Sequence, residues 1–129
     1  MKKSHVLTVL ALVAGLISCA PEIQLNRARG VRGPNAPVIT SEGVLFSIEA
    51  PDATLVTIAG NFNGWNTYAT ELTKNDAGIW SVRLPLQPAR RYLYKFLIDG
   101  FWVADPDNPD TVPDGQGGVN SVVQFEGEA

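Results

Sequence analysis

From Gly43 onward, apolar and polar residues alternate in short runs separated by turn residues. Runs with strand character fall at 44–50, 54–59, a short piece around Leu72, 79–85, 91–98, 101–104 and 119–125. Turn signals stand between them at Pro51-Asp52, Gly60 through Asn66, Lys74 through Gly78, Gln87-Pro88 and Asp99-Gly100. No run has helical spacing. Short strands spaced this way predict an all-β fold, an antiparallel β-sandwich. Phe46, Ile48, Val56, Ile58, Trp80, Val82 and Leu84 are the expected inward residues. Trp80 is placed in the core because it alternates with Ser81 and Arg83. No internal repeat is evident.

One hairpin can be read in detail. Tyr92, Tyr94, Phe96 and Ile98 alternate with Leu93, Lys95 and Leu97, the period of a strand with one buried face. Asp99-Gly100 then signals a two-residue type I′ turn, which requires positive φ at both positions. That turn sets the register: Ile98 opposite Phe101, Leu97 opposite Trp102, Phe96 opposite Val103, Lys95 opposite Ala104. Phe96, Ile98, Phe101 and Val103 therefore share a face that reads as core. Lys95, Leu97, Trp102 and Ala104 share the other, with Lys95 and Trp102 diagonal neighbours about 7–8 Å apart between backbones.

A tryptophan beside a lysine on an outer face has two readings. One is an edge aromatic covered by a loop and packed on the lysine stem. The other is an exposed platform for a flat, partly apolar ligand, with a donor beside it to fix orientation. A second tryptophan, Trp65, sits at the tip of the turn-rich loop Gly60-Asn61-Phe62-Asn63-Gly64-Trp65-Asn66.

Taken in order, Asn61-Phe62-Asn63-Gly64-Trp65, Gly78-Ile79-Trp80, Tyr94-Lys95-Phe96 through Asp99-Gly100 to Trp102, and Asp105-Pro106 to Asn108-Pro109 resemble the family-48 carbohydrate-binding modules. These include the glycogen-binding domain of the AMP-activated protein kinase β subunit, and the isoamylase N-terminal early-set domain is similar. The resemblance covers residues 42–125. It implies an immunoglobulin-like, early-set sandwich that binds α-glucan. Trp65 and Trp102 match the tryptophans that stack on glucose rings, Lys95 the lysine that hydrogen-bonds hydroxyls, and Asn120 a hydrogen-bonding asparagine. Where the kinase-type domain has an aliphatic residue and a threonine near that asparagine, this chain has Gln116 and Gly118.

The start of the chain bears on location. Lys2 and Lys3 precede a largely apolar run at 6–17, too short to span a bilayer and matching a secretory signal. Leu16-Ile17-Ser18-Cys19 resembles a bacterial lipobox, and Cys19 is the only cysteine. Lipidation at Cys19 accounts for it better than plain cleavage after Ala20, which would leave a soluble secreted protein. With Ala20 next, the expected location is the bacterial cell envelope, lipid-anchored in the outer membrane. Residues 19–42, rich in Pro and Gly with Arg27, Arg29 and Arg32, read as a flexible tether whose arginines are solvated. The expected division is signal peptide 1–18, tether 19–42 and sandwich domain 43–126.

Composition narrows the function. The chain has 13 Asp plus Glu against 10 Lys plus Arg, and cleavage before Cys19 would remove Lys2 and Lys3. An acidic chain with no basic stripe argues against nucleic acid. The only histidine, His5, lies in the signal segment, which removes His-dependent triads and the usual zinc sites. A sandwich of this size leaves little room for the two-carboxylate cleft of a glycosidase. The Asp-rich stretch from Asp105 to Asp114 fails the EF-hand pattern at Pro109 and reads as a rigid connection that brings Asn120 toward Trp102. The expectation is a lipid-anchored, non-catalytic module without cofactor or metal that binds α-1,4-glucan. The alternative is an envelope protein–protein interaction module with the same sandwich and no live sugar site. Exposure separates them: open tryptophans favour sugar, and a covering by the 105–118 loop favours interaction.

Overall fold

Alternation within each strand decides which side chains meet between two sheets, and this arrangement is seen in the computed structural model, which describes residues 31–88 and 90–125. The expected signal segment, Cys19 and half of the expected tether lie outside the described residues. The described residues from Arg32 onward form one unit. Its strands are β1 (Val38–Thr40), β2 (Gly43–Glu49), β3 (Val56–Gly60), β4 (Thr73–Lys74), β5 (Ile79–Leu84), β6 (Arg91–Ile98), β7 (Phe101–Val103), β8 (Thr111–Pro113) and β9 (Val119–Gln124). One antiparallel sheet runs β1-β2-β5-β4; the other runs β3-β6-β9-β8, with β7 also on β6. No helix occurs among the described residues. The fold is the expected all-β sandwich of the immunoglobulin-like, early-set kind.

The long strand β6 organises the second sheet. One edge pairs with β3 from Tyr94 to Ile98. The other edge is shared: β9 takes residues 91–94 and β7 takes 96–98. Lys95 falls at the seam between these two partners. The hairpin register is as expected, Ile98 with Phe101, Leu97 with Trp102 and Phe96 with Val103. Asp99 and Gly100 have φ of 50° and 86°, as a type I′ turn requires. The turn is fastened from outside, because Asp99 Oδ1 accepts the N–H groups of Thr54 (2.9 Å) and Leu55 (2.8 Å).

The core lies between the sheets. Val44, Phe46 and Ile48 of β2 and Trp80 of β5 meet Val56 and Ile58 of β3, Tyr94 and Phe96 of β6 and Val123 of β9. Trp80 is buried as expected, and its indole N–H donates to the Ala50 carbonyl at 2.8 Å. Below the core, the 105–110 connection is built from buried polar groups. Tyr94 Oη donates to Asp105 Oδ2 (2.6 Å). Asn108 Nδ2 donates to Tyr94 Oη (3.0 Å) and to the Val122 carbonyl (2.9 Å). The Asp105 N–H donates to Ser121 Oγ (2.9 Å). Buried polar groups are tolerated when each has a partner. Asp105 and Asn108 are thus turned into the sandwich.

Three features differ from the sequence reading. Phe101, expected in the core, is 75% exposed. Ile98 and Val103 pack against the core, whereas Phe101, next to the turn, does not. Phe101→Ser is therefore expected to change unfolding free energy by less than about 0.5 kcal/mol in urea denaturation, as at other exposed positions. Second, Val38–Thr40 lies within the stretch expected as a tether, yet it pairs with β2 from Val38–Leu45 to Thr40–Gly43. The segment before it is also attached: Gly33 N–H donates to the Asp107 carbonyl (2.8 Å) and Asn35 N–H to Asp107 Oδ2 (3.0 Å). Arg32 remains exposed, as expected of a solvated arginine, while its guanidinium contacts the exposed Asp110 at 3.3 Å. Three-residue strands carry too little alternation to show against Pro-rich surroundings. Third, β8 forms inside a Pro-rich run whose pattern signals no strand, for the same reason.

Candidate functional site

The loop from Gly60 to Thr70 is held by Asn63. Asn63 Nδ2 donates to the Ile58 carbonyl (3.0 Å) and Thr70 Oγ1 (3.1 Å), while its Oδ1 accepts the Gly60 N–H (3.1 Å). The Trp65 N–H donates to the Gly60 carbonyl at 2.9 Å. These bonds place Trp65 at φ 59°, a left-handed conformation unfavourable for a bulky side chain. Residues kept in such conformations gather at ligand sites, where surrounding structure over-determines them.

Trp65 faces Trp102 across a shallow cleft. Their ring centroids are 6.5 Å apart and the planes meet at 54°. Trp102 is 50% exposed and Trp65 is partly buried. The cleft, about 580 Å³, is lined by Trp65, Leu93, Lys95, Trp102, Asp114, Gln116 and Asn120. Lys95 rises from the seam of β6, Trp102 from β7 on one side and Asn120 from β9 on the other. All four residues singled out as sugar ligands in the sequence, Trp65, Lys95, Trp102 and Asn120, are brought to one surface. Cys19 lies outside the described residues. Two converging aromatic faces with an ammonium and an amide suit a ring with apolar C–H faces and hydroxyls at its rim.

Asp114 was not foreseen as part of this surface. Lys95 Nζ donates to Asp114 Oδ2 at 2.7 Å, both side chains being largely buried at 17% and 14% exposure. Asp114 Oδ1 accepts the N–H groups of Gln116 (2.7 Å) and Gly118 (3.0 Å). The Lys95 bond first, then the two backbone donors, pull the carboxyl down to about 2. A lowered carboxyl stabilises the fold above its unfolded value near 4, and the contribution is lost as pH falls toward 2. The amide signals of Gln116 and Gly118 are expected to titrate with a midpoint near 2; a midpoint near 4, the usual value, would show the carboxylate unheld. The Asp-Gly-Gln-Gly-Gly run does announce an Asx turn at Asp114. Its partner Lys95, on another strand, does not show in the local pattern.

Residues 33–113 match the model of carbohydrate-binding module 48, the isoamylase N-terminal domain. The chain belongs to that family. Relatives point the same way. A 1,4-alpha-glucan branching enzyme of Deinococcus radiodurans is 35% identical over 69 residues, 53% of this chain and 10% of that enzyme. Protein PTST homolog 2 of Arabidopsis thaliana is 39% identical over 57 residues, 44% of this chain and 10% of that protein. Protein FLOURY ENDOSPERM 6 of Oryza sativa is 39% identical over 65 residues, 50% of this chain and 12% of that protein. The module spans about a tenth of each. Its family match stops at residue 113, so of the cleft's polar residues Lys95 lies within it and Asp114, Gln116 and Asn120 lie beyond it.

Proposed function

We propose that this chain is a non-catalytic module that binds α-1,4-glucan such as glycogen, starch fragments or maltooligosaccharides, and that a lipid on Cys19 holds it at the bacterial cell envelope. The observation that carries the sugar reading is the cleft that Trp65 and Trp102 line together with Lys95 and Asn120. Rings tilted by 54° suit a chain whose successive sugars turn, as an α-1,4-glucan does, better than a flat ribbon. Trp65 and Trp102 stack on sugar faces while Lys95 and Asn120 hydrogen-bond hydroxyls. Affinity is modest, because the site is shallow and its polar contacts are partly solvated. Membership of a carbohydrate-binding module family supports the binding role.

Affinity electrophoresis tests the reading. The chain is expected to be retarded in gels containing glycogen or amylose and to run normally without them. A folded chain that is not retarded by either would end the α-glucan reading and leave the envelope interaction module. The anchor is tested separately: labelled palmitate is expected to mark the wild type in bacterial cells and not Cys19→Ser. Equal labelling of both would rule out Cys19 as the attachment point.

A further inference from the structure

The cleft holds an ion pair where a sugar-binding lysine alone would serve, and its hydrogen-bond arithmetic is informative. An ionised carboxylate has about four acceptor positions. Asp114 Oδ1 takes two backbone N–H groups and Oδ2 takes Lys95, leaving one position on Oδ2 open. The Lys95 ammonium has three donors, of which one is committed to Asp114. Free donor and free acceptor therefore stand side by side, about one hydrogen bond apart, in the cleft that Trp65 and Asn120 also line. Gly118 makes the room: a Cβ there would come within 2.9 Å of Asp114 Oδ2 and 3.7 Å of Lys95 Nζ.

We propose that Asp114 is a positioning and specificity residue of the sugar site, forming with Lys95 a clamp for two adjacent hydroxyls of one glucosyl ring. This rests on the glucan reading of the cleft. Asp114 acts first on Lys95. It fixes the ammonium before ligand arrives, so less side-chain freedom is lost on binding. It also ties the 114–118 loop to β6 through the same carboxylate. The hydroxyl pair is then read as one donor and one acceptor: Lys95 donates to one oxygen, and Asp114 accepts from its neighbour. The C2 and C3 hydroxyls of an α-1,4-linked chain are free and adjacent on every unit, so the clamp accepts any internal ring. A glucan linked through O3 lacks that pair and is rejected.

Calorimetry on the full-length chain at neutral pH tests this with β-cyclodextrin, a closed α-1,4-glucan, and its 2,6-di-O-methyl derivative. Asp114→Asn and Lys95→Met are each expected to bind β-cyclodextrin about tenfold more weakly. The double variant is expected within about threefold of either single, because both changes dismantle one device. Gly118→Ala, which keeps both charges but crowds the carboxylate, is expected to lose affinity several-fold, and the methylated ring to bind poorly to the wild type. Wild-type affinity in Asp114→Asn, additive losses near a hundredfold in the double variant, or equal binding of the methylated ring would overturn the clamp. If the wild type binds β-cyclodextrin while Asp114→Asn is indifferent, only the clamp falls. If the wild type binds neither β-cyclodextrin nor glycogen, the clamp and the glucan reading fall together.

Discussion

Trp102→Ala is expected to cost at least about 2 kcal/mol of glucan affinity, roughly thirtyfold, as for a hot-spot aromatic at the centre of a binding surface. With modest wild-type affinity, such a loss removes retention in glycogen gels altogether. The ring is half exposed and stands on the outer face of a three-residue strand, opposite Leu97, so its removal opens no cavity between the sheets. The midpoint of thermal unfolding should move by only a few degrees. Calorimetry with a maltooligosaccharide, alongside a thermal scan, separates the two effects. Retained affinity, or a loss matched by unfolding, would remove Trp102 from the platform.

Tyr94→Phe is the largest stability effect expected. The tyrosine is fully buried, and its hydroxyl donates to Asp105 while accepting from Asn108. Burial first, then the neighbouring Asp105 charge, push the hydroxyl far above its usual range, so it stays a donor at all working pH. Deleting it leaves a buried carboxylate without its shortest hydrogen bond, at a cost of about 2–3 kcal/mol. For a domain of this size that lowers the unfolding temperature by roughly 10–20 °C. The pH sense follows from Asp105. Burial holds its carboxyl above the ordinary range, with the Tyr94 bond opposing the rise. The folded state therefore binds the proton more tightly than the unfolded chain, and this contribution to stability fades as pH rises through the folded value. Without Tyr94 the rise is larger. The deficit of Tyr94→Phe should be greatest at neutral pH and narrow as pH falls and Asp105 takes up its proton, because a protonated carboxyl no longer needs the donor. A constant deficit would show that the hydroxyl does not act through Asp105.

The β6–β7 hairpin is legible in the sequence because three local signals agree: alternation, the Asp99-Gly100 turn, and a two-residue loop that allows one register. Phe101 shows the limit of that logic. Register decides the side of the sheet, whereas burial depends on whether the opposite sheet extends that far. The strands β1 and β8 are hidden for a related reason: each is three residues long, β1 following Pro37 and β8 ending in Pro113, and each exists because a longer neighbour supplies its ladder. Within the cleft, Trp65, Lys95, Trp102 and Asn120 come from resemblance together with the hairpin register. What brings them together is the sharing of one β6 edge by β7 and β9, a feature of topology that no local pattern carries. Asp114 was half legible, as an Asx turn without its lysine.

The three tryptophans allow a direct measurement. Indole N–H signals of the full-length chain can be followed by nuclear magnetic resonance during titration with maltoheptaose. Trp65 and Trp102 flank the cleft, whereas Trp80 is buried with its N–H bonded to Ala50. The account predicts that the Trp65 and Trp102 signals move together along one saturable curve and that Trp80 stays in place. Signals that do not move, or a response confined to residues away from the cleft, would contradict it.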